Sequence, residues 1–282
     1  MTFKDLKYFP DWCDWLKLNI ERGCNPVELM DSLVKNEFSL TSIKEMMGGN
    51  FPKNMDDIQF KNEMNKRESY LRLSQISLTK LEGVLNVQKV PSGKLQLYQI
   101  EDFLSEEECD QIMHIAGEKL RPSTLTVQDE DKYFRTSQTS DLGLLNHPFI
   151  KKIDEKISST LGINSVYAEG TQAQRYETGQ EFKMHTDYFQ PGTDEYQNFA
   201  KERGNRTWTF MIYLNNVLKG GGTRFFAIDK TIMPKKGMAV VWNNLLPDGA
   251  VNADTLHSGL PVEEGFKFII TKWYRERPAP AI

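Results

Sequence analysis

The chain of 282 residues is long enough for one large domain with an appendage, and its 39% hydrophobic content is enough for a buried core. A formal net charge of -4, without a run of Lys or Arg, gives no electrostatic reason to expect nucleic acid or an anionic membrane as a partner. The three cysteines are odd in number and lack CxxC spacing, so neither a disulfide framework nor a zinc knuckle is expected.

The same features predict where the protein resides. No stretch of about eighteen consecutive apolar residues occurs, as a membrane-spanning helix would need. The N-terminal MTFKDLKYFPDWCDW lacks the uninterrupted apolar segment of a signal peptide. Scattered free thiols are typical of a reducing compartment. We therefore expect a soluble, cytoplasmic protein.

Residues 1–82 are predicted to form a helical region. In NPVELMDSL, Asn25 is placed to cap a helix whose first residue is Pro26. The segment SLTSIKEMMGG predicts a short helix that ends at glycine, and residues 58–81 carry apolar residues at mixed helical spacing. The role of this region is open, because internal packing, a dimer interface and a docking site for a protein substrate all fit its apolar stripes.

Residues 83–282 are predicted to form a second domain. Ser105 and Glu108 have the spacing of a capping box, and a further helix is expected near residues 148–160. Short segments rich in β-branched and aromatic residues follow, among them RTWTFMIYLNN and GFKFIITKWY. The predicted fold class is therefore α+β: a double-stranded β-helix, or jelly roll, with helices packed on one sheet and the helical region before it.

Three residues suggest a metal site. His185 and Asp187 are separated by one residue, so in a strand both side chains leave the same face. Such a pair alone is weak evidence, since a surface hydrogen bond between the two explains it equally well. His257 lies just before the last strand, and two histidines with one carboxylate leave three positions of an octahedral ion open. That arrangement is associated with non-haem Fe(II) oxygenases.

Lys267, near the start of the hydrophobic strand FKFIITKW, is a second indication of a binding site. A buried ammonium group is costly unless an anion meets it. A carboxylate of a cosubstrate such as 2-oxoglutarate would satisfy this lysine. The alternative is a side chain that reaches solvent or pairs with an internal acid.

An ordered set of motifs carries a resemblance to a known family. The prolyl 4-hydroxylase family of Fe(II)/2-oxoglutarate dioxygenases is similar over residues 97–276, through FLSEEECDQIMHIAGEKL, FRTSQTSDL, RYETGQEFKMHTDYF, RTWTFMIYLNNVLKGGGTRFF, PKKGMAVVWNN and TLHSGLPVEEGFKFIITKWYRE. The resemblance is specific, because the HxD pair, the distal histidine and the lysine after it occur in that order with their flanking strands.

The resemblance implies a role for each matching position. His185, Asp187 and His257 match the iron ligands, and no catalytic side chain is implied beyond them. Lys267 and Tyr176 match the residues that hold the far carboxylate of 2-oxoglutarate.

Other positions match with less distinctive motifs. Thr223, in GGGTRFF, matches a smaller cosubstrate contact. Four residues fall where family members line the substrate groove: Arg135, Glu169, Arg206 and Trp273. For any one of these taken alone, a structural role in the core or in a surface ion pair explains the residue equally well.

The function that the resemblance implies is hydroxylation of proline in a peptide or protein, with release of succinate and CO2. The expected cofactors are Fe(II), 2-oxoglutarate as cosubstrate and O2, with ascorbate as a candidate reductant. A peptide or protein substrate, or a small amino-acid-like one, is the expected partner. Neither nucleic acid nor a membrane is expected, and the oligomeric state is open, with a dimer through the N-terminal helices as one option.

Departures from the family pattern put the substrate in doubt. Phe182 stands where the family often has a tyrosine, and Met184 stands where proline is common. The polar residues 189–205 are a candidate mobile lid. Hydroxylation of a free amino acid or other small metabolite on the same cofactors is therefore one alternative. A non-catalytic jelly-roll binding module and a zinc hydrolase are others, although a hydrolase would give Lys267 no anion to bind.

Overall fold

The computed structural model describes residues 5–36, 38–52, 81, 83, 86–123, 135–247 and 249–279. The chain divides into two compact units, Met1–Glu68 and Ser69–Ile282. The predicted boundary near residue 82 and nearly all of the helix predicted over residues 58–81 lie outside the described residues. Within the described residues, no helix is both long and apolar enough to cross a bilayer.

The first unit contains three short helices in its described part. They are α1 (Pro10–Glu21), α2 (Pro26–Lys35) and α3 (Leu40–Met47).

The ends of two of these helices follow the sequence signals. The side chain of Asn25 accepts a hydrogen bond from the backbone N–H of Val27, so the predicted cap of α2 is confirmed. Helix α3 ends at Gly48, whose φ of 51° is one that glycine adopts without strain. The three helices enclose a small core of their own: Leu6, Leu16, Met30, Leu33, Phe38 and Ile43.

The second unit contains three further α-helices and fourteen strands among its described residues. The helices are α4 (Glu106–Gly117), α5 (Pro148–Leu161) and α6 (Asp194–Phe199). The strands are β1 (Val87–Lys89), β2 (Leu97–Ile100), β3 (Arg121–Pro122), β4 (Gln138–Asp141), β5 (Gln172–Glu177), β6 (Phe182–His185), β7 (Arg206–Tyr213), β8 (Lys219–Gly220), β9 (Thr223–Phe225), β10 (Lys230–Ile232), β11 (Ala239–Asn243), β12 (His257–Gly259), β13 (Val262–Glu264) and β14 (Phe266–Arg275).

Local sequence signals explain where α4 and α5 begin. The hydroxyl of Ser105 accepts from the backbone N–H of Glu108, and the carboxylate of Glu108 accepts from the backbone N–H of Ser105. The predicted capping box of α4 is thus confirmed. Helix α5 has Pro148 at its first position and ends at Gly162 in the left-handed conformation.

The strands form a large and a small antiparallel sheet. The large sheet has the order β1-β2-β11-β7-β14-β5-β4-β3, and the small sheet has the order β10-β9-β12-β6. Strands β8 and β13 form a separate pair. The predicted jelly-roll fold is confirmed.

The large sheet separates two hydrophobic cores, because neighbouring residues of a strand face opposite ways. Along β7, Phe210 and Ile212 belong to the core that also contains the apolar faces of α4 and α5. Met211 and Tyr213 belong to the core that also contains Phe225 of the small sheet. Helices therefore cover one face of the large sheet, as predicted, and the other face is left for a site between the sheets.

Candidate active site

The three predicted metal ligands lie together on the small sheet. His185 at the end of β6 and His257 at the start of β12 are directly paired across the two strands. Asp187 follows β6, and one ligand atom from each of the three residues lies within 4.8 Å of the others. Two imidazoles and one carboxylate at this spacing fit around a single ion and leave the opposite side open.

Backbone carbonyls fix the orientation of both imidazoles. The Nδ1–H of His185 donates to the carbonyl of Lys183 at 2.7 Å, and the Nδ1–H of His257 donates to the carbonyl of Thr255 at 2.9 Å. The Nε2 atom of each ring therefore carries the free lone pair. This hydrogen-bonding pattern is typical of histidines that bind a metal through Nε2.

The electrostatics give the cluster the protonation states that a cation requires. Burial, with the neighbouring His257, lowers the pKa of His185 to about 3, so its imidazole is neutral. Burial alone would raise the pKa of Asp187, but His257, His185 and Arg206 hold it below its ordinary value. A neutral imidazole beside an ionised carboxylate is suited to binding a divalent metal ion.

Lys267 lies in β14 with no acid beside it. Its side chain is 3% exposed and, among the described residues, makes no hydrogen bond or ion pair. The aromatic rings of Tyr176 and Tyr213 lie 5.4 and 5.5 Å from its Nζ atom. Burial lowers the pKa of Lys267 to about 7. A buried amine beside two aromatic rings, with no acid near it among the described residues, fits a cosubstrate that brings its own carboxylate.

The two other predicted cosubstrate residues lie in the same core. Tyr176 is paired with Lys267 across β5 and β14, and its hydroxyl donates to Oε1 of Gln174 at 2.9 Å. Thr223 accepts a hydrogen bond of 2.6 Å from the hydroxyl of Tyr213. Sequence reasoning missed Tyr213, which in YLNN looks like an ordinary inward-facing strand residue.

The four predicted groove residues line one cleft. Its volume is about 860 Å³, and its lining includes Arg135, Glu169, Arg206 and Trp273 together with the metal ligands His185 and Asp187. The structure therefore places the predicted groove residues and two of the three predicted ligands around a common space.

Two arginines beside the cleft share one carboxylate. Arg206 donates to both carboxylate oxygens of Glu169, at 2.7 and 2.8 Å, and Arg275 donates to the same carboxylate at 2.9 Å. Burial alone would raise the pKa of Glu169, but the two guanidinium groups hold it below its ordinary value. The guanidinium of Arg206 also lies 4.1 Å from the ring centroid of Trp273. Arg275 was not among the predicted site residues.

Arg135, which also lines the cleft, hydrogen-bonds to neutral side chains. It donates to Ser137 at 3.2 Å and to Gln172 at 3.2 Å. Its guanidinium lies 5.0 Å from the ring centroid of Phe182, and that ring stacks on His185 with centroids 3.5 Å apart. Phe182 therefore forms part of the wall beside the metal cluster, where the family often has a tyrosine.

The candidate lid, residues 189–205, is held at both ends. The side-chain amide of Asn205 donates to the carbonyl of Phe189 and accepts from its backbone N–H, each at 2.8 Å. Arg275 donates to the carbonyls of Phe199 and Gly204. The ends of this segment are thus anchored, and its mobility stays a prediction.

A jelly roll with two histidines, one carboxylate and a buried lysine on its inner strands defines the class of non-haem Fe(II) oxygenases. Comparisons with known proteins agree. The model of the 2OG-Fe(II) oxygenase superfamily matches residues 171–275. Prolyl 4-hydroxylase 2 of Arabidopsis thaliana is 30% identical over 230 residues, which are 72% of this chain and 75% of that protein.

A second relative and a solved structure are similar over a comparable part of the chain. Prolyl 4-hydroxylase subunit alpha-1 of Gallus gallus is 30% identical over 65% of this chain, which spans only 36% of that subunit. The viral collagen prolyl hydroxylase of Paramecium Bursaria Chlorella virus-1, in its 2OG complex, has a TM-score of 0.51 and 27% identity. The match covers 69% of this chain and 98% of the viral one. The chain belongs to the prolyl 4-hydroxylase family of the 2OG-Fe(II) oxygenases.

Proposed function

We propose that this protein is an Fe(II)- and 2-oxoglutarate-dependent dioxygenase that hydroxylates proline in a peptide or protein. The observation that carries the proposal is Lys267, a buried amine without an acid beside it in the described structure, in the same inter-sheet core as the metal cluster. The names of the similar proteins support proline as the substrate residue.

Each part of the site has a distinct task. His185, Asp187 and His257 would hold the iron through two Nε2 atoms and one carboxylate oxygen. Lys267 would bind the far carboxylate of 2-oxoglutarate, and Tyr176 would pack against it. The bound iron and 2-oxoglutarate supply the oxidising chemistry, in which one atom of O2 enters succinate, the other enters the substrate C–H bond, and CO2 leaves.

The protein's own contribution is orientation and the exclusion of water. The cosubstrate residues Lys267, Tyr176 and Thr223 are buried, so water is kept from the cosubstrate end of the site. The cleft would hold one substrate C–H bond beside the cluster. The guanidinium groups of Arg206 and Arg275 are already hydrogen-bonded to Glu169, so this wall has no carboxylate left for a charged substrate residue and suits an uncharged one such as proline. Arg135, hydrogen-bonded only to neutral groups among the described residues, would contact backbone carbonyls of the substrate.

A peptide screen tests this function. The purified protein, loaded with Fe(II) under anaerobic conditions, would be given 2-oxoglutarate, O2 and proline-rich peptides. We expect succinate and a peptide heavier by one oxygen atom, with fragmentation locating that atom on proline. Peptides in which alanine replaces proline are the matched control. Equal oxidation of both peptides, or none of either by iron-loaded protein, would contradict the proposal.

Phe182 favours a second candidate substrate. Without a tyrosine hydroxyl at this position, the cleft lacks one polar contact beside His185 that family members often offer. Free amino acids or small metabolites therefore belong in the same screen. Oxidation of free proline in preference to peptidyl proline would establish this candidate in place of the first.

We further propose ascorbate as the reductant and the cytoplasm as the location. Ascorbate would return oxidised iron to Fe(II), and the supporting observation for the location is the three cysteines that remain free thiols. Turnover numbers with and without ascorbate, and fractionation of the native cell, test the two proposals separately.

A further inference from the structure

Asp187 receives a hydrogen bond from the opposite sheet. Thr209, a fully buried residue of β7, donates its hydroxyl proton to Oδ2 of Asp187 at 2.6 Å. The other carboxylate oxygen, Oδ1, lies 3.8 Å from Nε2 of His185. Among the described residues, no other side chain donates to this carboxylate. One oxygen of Asp187 is therefore held by Thr209, and the other faces the metal cluster.

The direction of this hydrogen bond is set by a third residue. The side-chain amide of Asn244 donates to the hydroxyl oxygen of Thr209 at 2.9 Å. An amide N–H can only donate and a carboxylate can only accept, so the single proton of Thr209 must point at Asp187. A chain of donors thus runs from Asn244 through Thr209 to Asp187.

Asn244 is itself fixed by the backbone. Asn244 is fully buried. Its backbone N–H donates to the backbone carbonyl of Thr207 at 2.7 Å, and its backbone carbonyl accepts from the backbone N–H of Asn252 at 2.9 Å. The donor chain therefore begins at an immobile part of the large sheet and ends at a ligand of the small sheet.

We propose that Thr209 and Asn244 are positioning residues that hold Asp187 as a one-oxygen ligand. The inference rests on the metal site of the proposed function. Three protein ligands leave three positions of a six-coordinate ion, and 2-oxoglutarate as a chelate together with O2 needs all three. If Asp187 bound through both oxygens, it would occupy one of these positions. To bind through both oxygens, the carboxylate would have to rotate and turn Oδ2 toward the ion, and the hydrogen bond from Thr209 to Oδ2 opposes that rotation.

Thr209→Val tests the inference, because valine has nearly the same shape and lacks the hydroxyl. We expect Co²⁺ and Mn²⁺, measured by calorimetry, to bind about 10- to 100-fold more weakly, as is usual when a partner of a metal ligand is removed. The visible spectrum of bound Co²⁺ should also change, since it reports coordination number. Thr209→Ser keeps the hydroxyl and should restore the wild-type affinity and spectrum.

Thr207→Val is the matched control. Thr207 is a buried residue of the same strand whose hydroxyl donates to the carbonyl of Tyr274 at 3.1 Å. Loss of the Thr207 hydroxyl should lower the thermal stability about as much as loss of the Thr209 hydroxyl, and it should leave the affinity for Co²⁺ unchanged. If Thr209→Val does not fold, Thr209→Ala removes the same hydroxyl with less steric demand and carries the same expectation.

Metal binding by the wild type tests the proposed function, and the comparison with Thr209→Val tests the positioning role. Wild-type protein that binds no divalent metal would overturn the proposed function and this inference with it. Wild-type protein that binds Co²⁺, with folded Thr209→Val of equal affinity and identical spectrum, would overturn the positioning role alone.

Discussion

Strand β14 buries two lysines, five residues apart, and their surroundings differ. Lys267 and Lys272 are both 3% exposed. Lys272 has an acid within reach, because its Nζ atom lies 3.0 Å from Oδ1 of Asp154 and donates to Thr171. Lys267 makes no hydrogen bond or ion pair with any described residue. A lysine with an internal partner serves the fold, whereas a buried lysine without one needs an anion from outside to stay charged.

The largest effect should come from Lys267→Met. Loss of the amine that would pair with the far carboxylate should weaken 2-oxoglutarate binding by about 100- to 1000-fold, since removing one partner of a buried charge pair costs about 2–5 kcal/mol. Lys272→Met is the control and should leave the affinity near wild type. Calorimetric titration of the Co²⁺-loaded proteins measures both. Equal losses in the two variants would mean that Lys267 acts only through the fold.

The same two variants should change stability in opposite directions. Lys267→Met removes an unpaired buried amine, so the free energy of unfolding without 2-oxoglutarate should rise. Lys272→Met leaves Asp154 without its cation and should lower that free energy by about 1–3 kcal/mol. Denaturant unfolding of the metal-free proteins gives the comparison. A loss of stability in Lys267→Met would show that its charge is satisfied inside the protein.

Stability should also depend on pH through Lys267. The pKa of this lysine is lowered from 10.5 to about 7 in the folded protein. Between these values the unfolded chain holds more protons, so the folded state gains stability as pH rises. The wild type should therefore gain stability relative to Lys267→Met from pH 7 upward. A difference between the two proteins that is independent of pH would contradict the lowered pKa.

The affinity for 2-oxoglutarate should also depend on pH through Lys267. Above pH 7 the free amine is mostly neutral, and a bound carboxylate requires it charged, so binding should take up a proton. Affinity for 2-oxoglutarate should fall by up to about tenfold per pH unit above 7 in the wild type. Calorimetry in two buffers of different ionisation enthalpy counts the proton, and Lys267→Met should take up none there.

The smallest effect is expected from Phe182→Tyr. The change adds a hydroxyl to the cleft wall that stacks on His185. We expect Co²⁺ and 2-oxoglutarate affinities within about twofold of wild type and a kcat/KM for peptide that changes by about three- to tenfold. A large loss of metal affinity would instead show that Phe182 serves the cluster.

Much of the site could be predicted because its signals are local. The spacing of His185 and Asp187 alone indicated that their side chains could reach one ion, although Asp187 lies just beyond the end of β6, and the capping box of α4 lies within four residues. The jelly roll followed from alternation in short strands and from the resemblance. Lys267 was conspicuous because a charge interrupts an apolar strand.

The rest depends on which strands are neighbours. Thr209 and Asn244 look like ordinary residues of β7 and of the turn after β11, and only the packing of the two sheets brings them to Asp187. The pairing of Glu169 with Arg206 and Arg275 likewise joins segments far apart in the chain. No spacing rule in a single sequence reports such contacts.

An anaerobic titration with Fe(II) and 2-oxoglutarate tests the central claim most directly. The visible metal-to-ligand charge-transfer band would be followed in wild type, His185→Ala and Lys267→Ala. We expect the band in wild type, no band in His185→Ala, and a band in Lys267→Ala only at far higher 2-oxoglutarate concentration. Wild-type protein with confirmed iron content and no band would contradict the oxygenase assignment, and the jelly roll would then be a binding module.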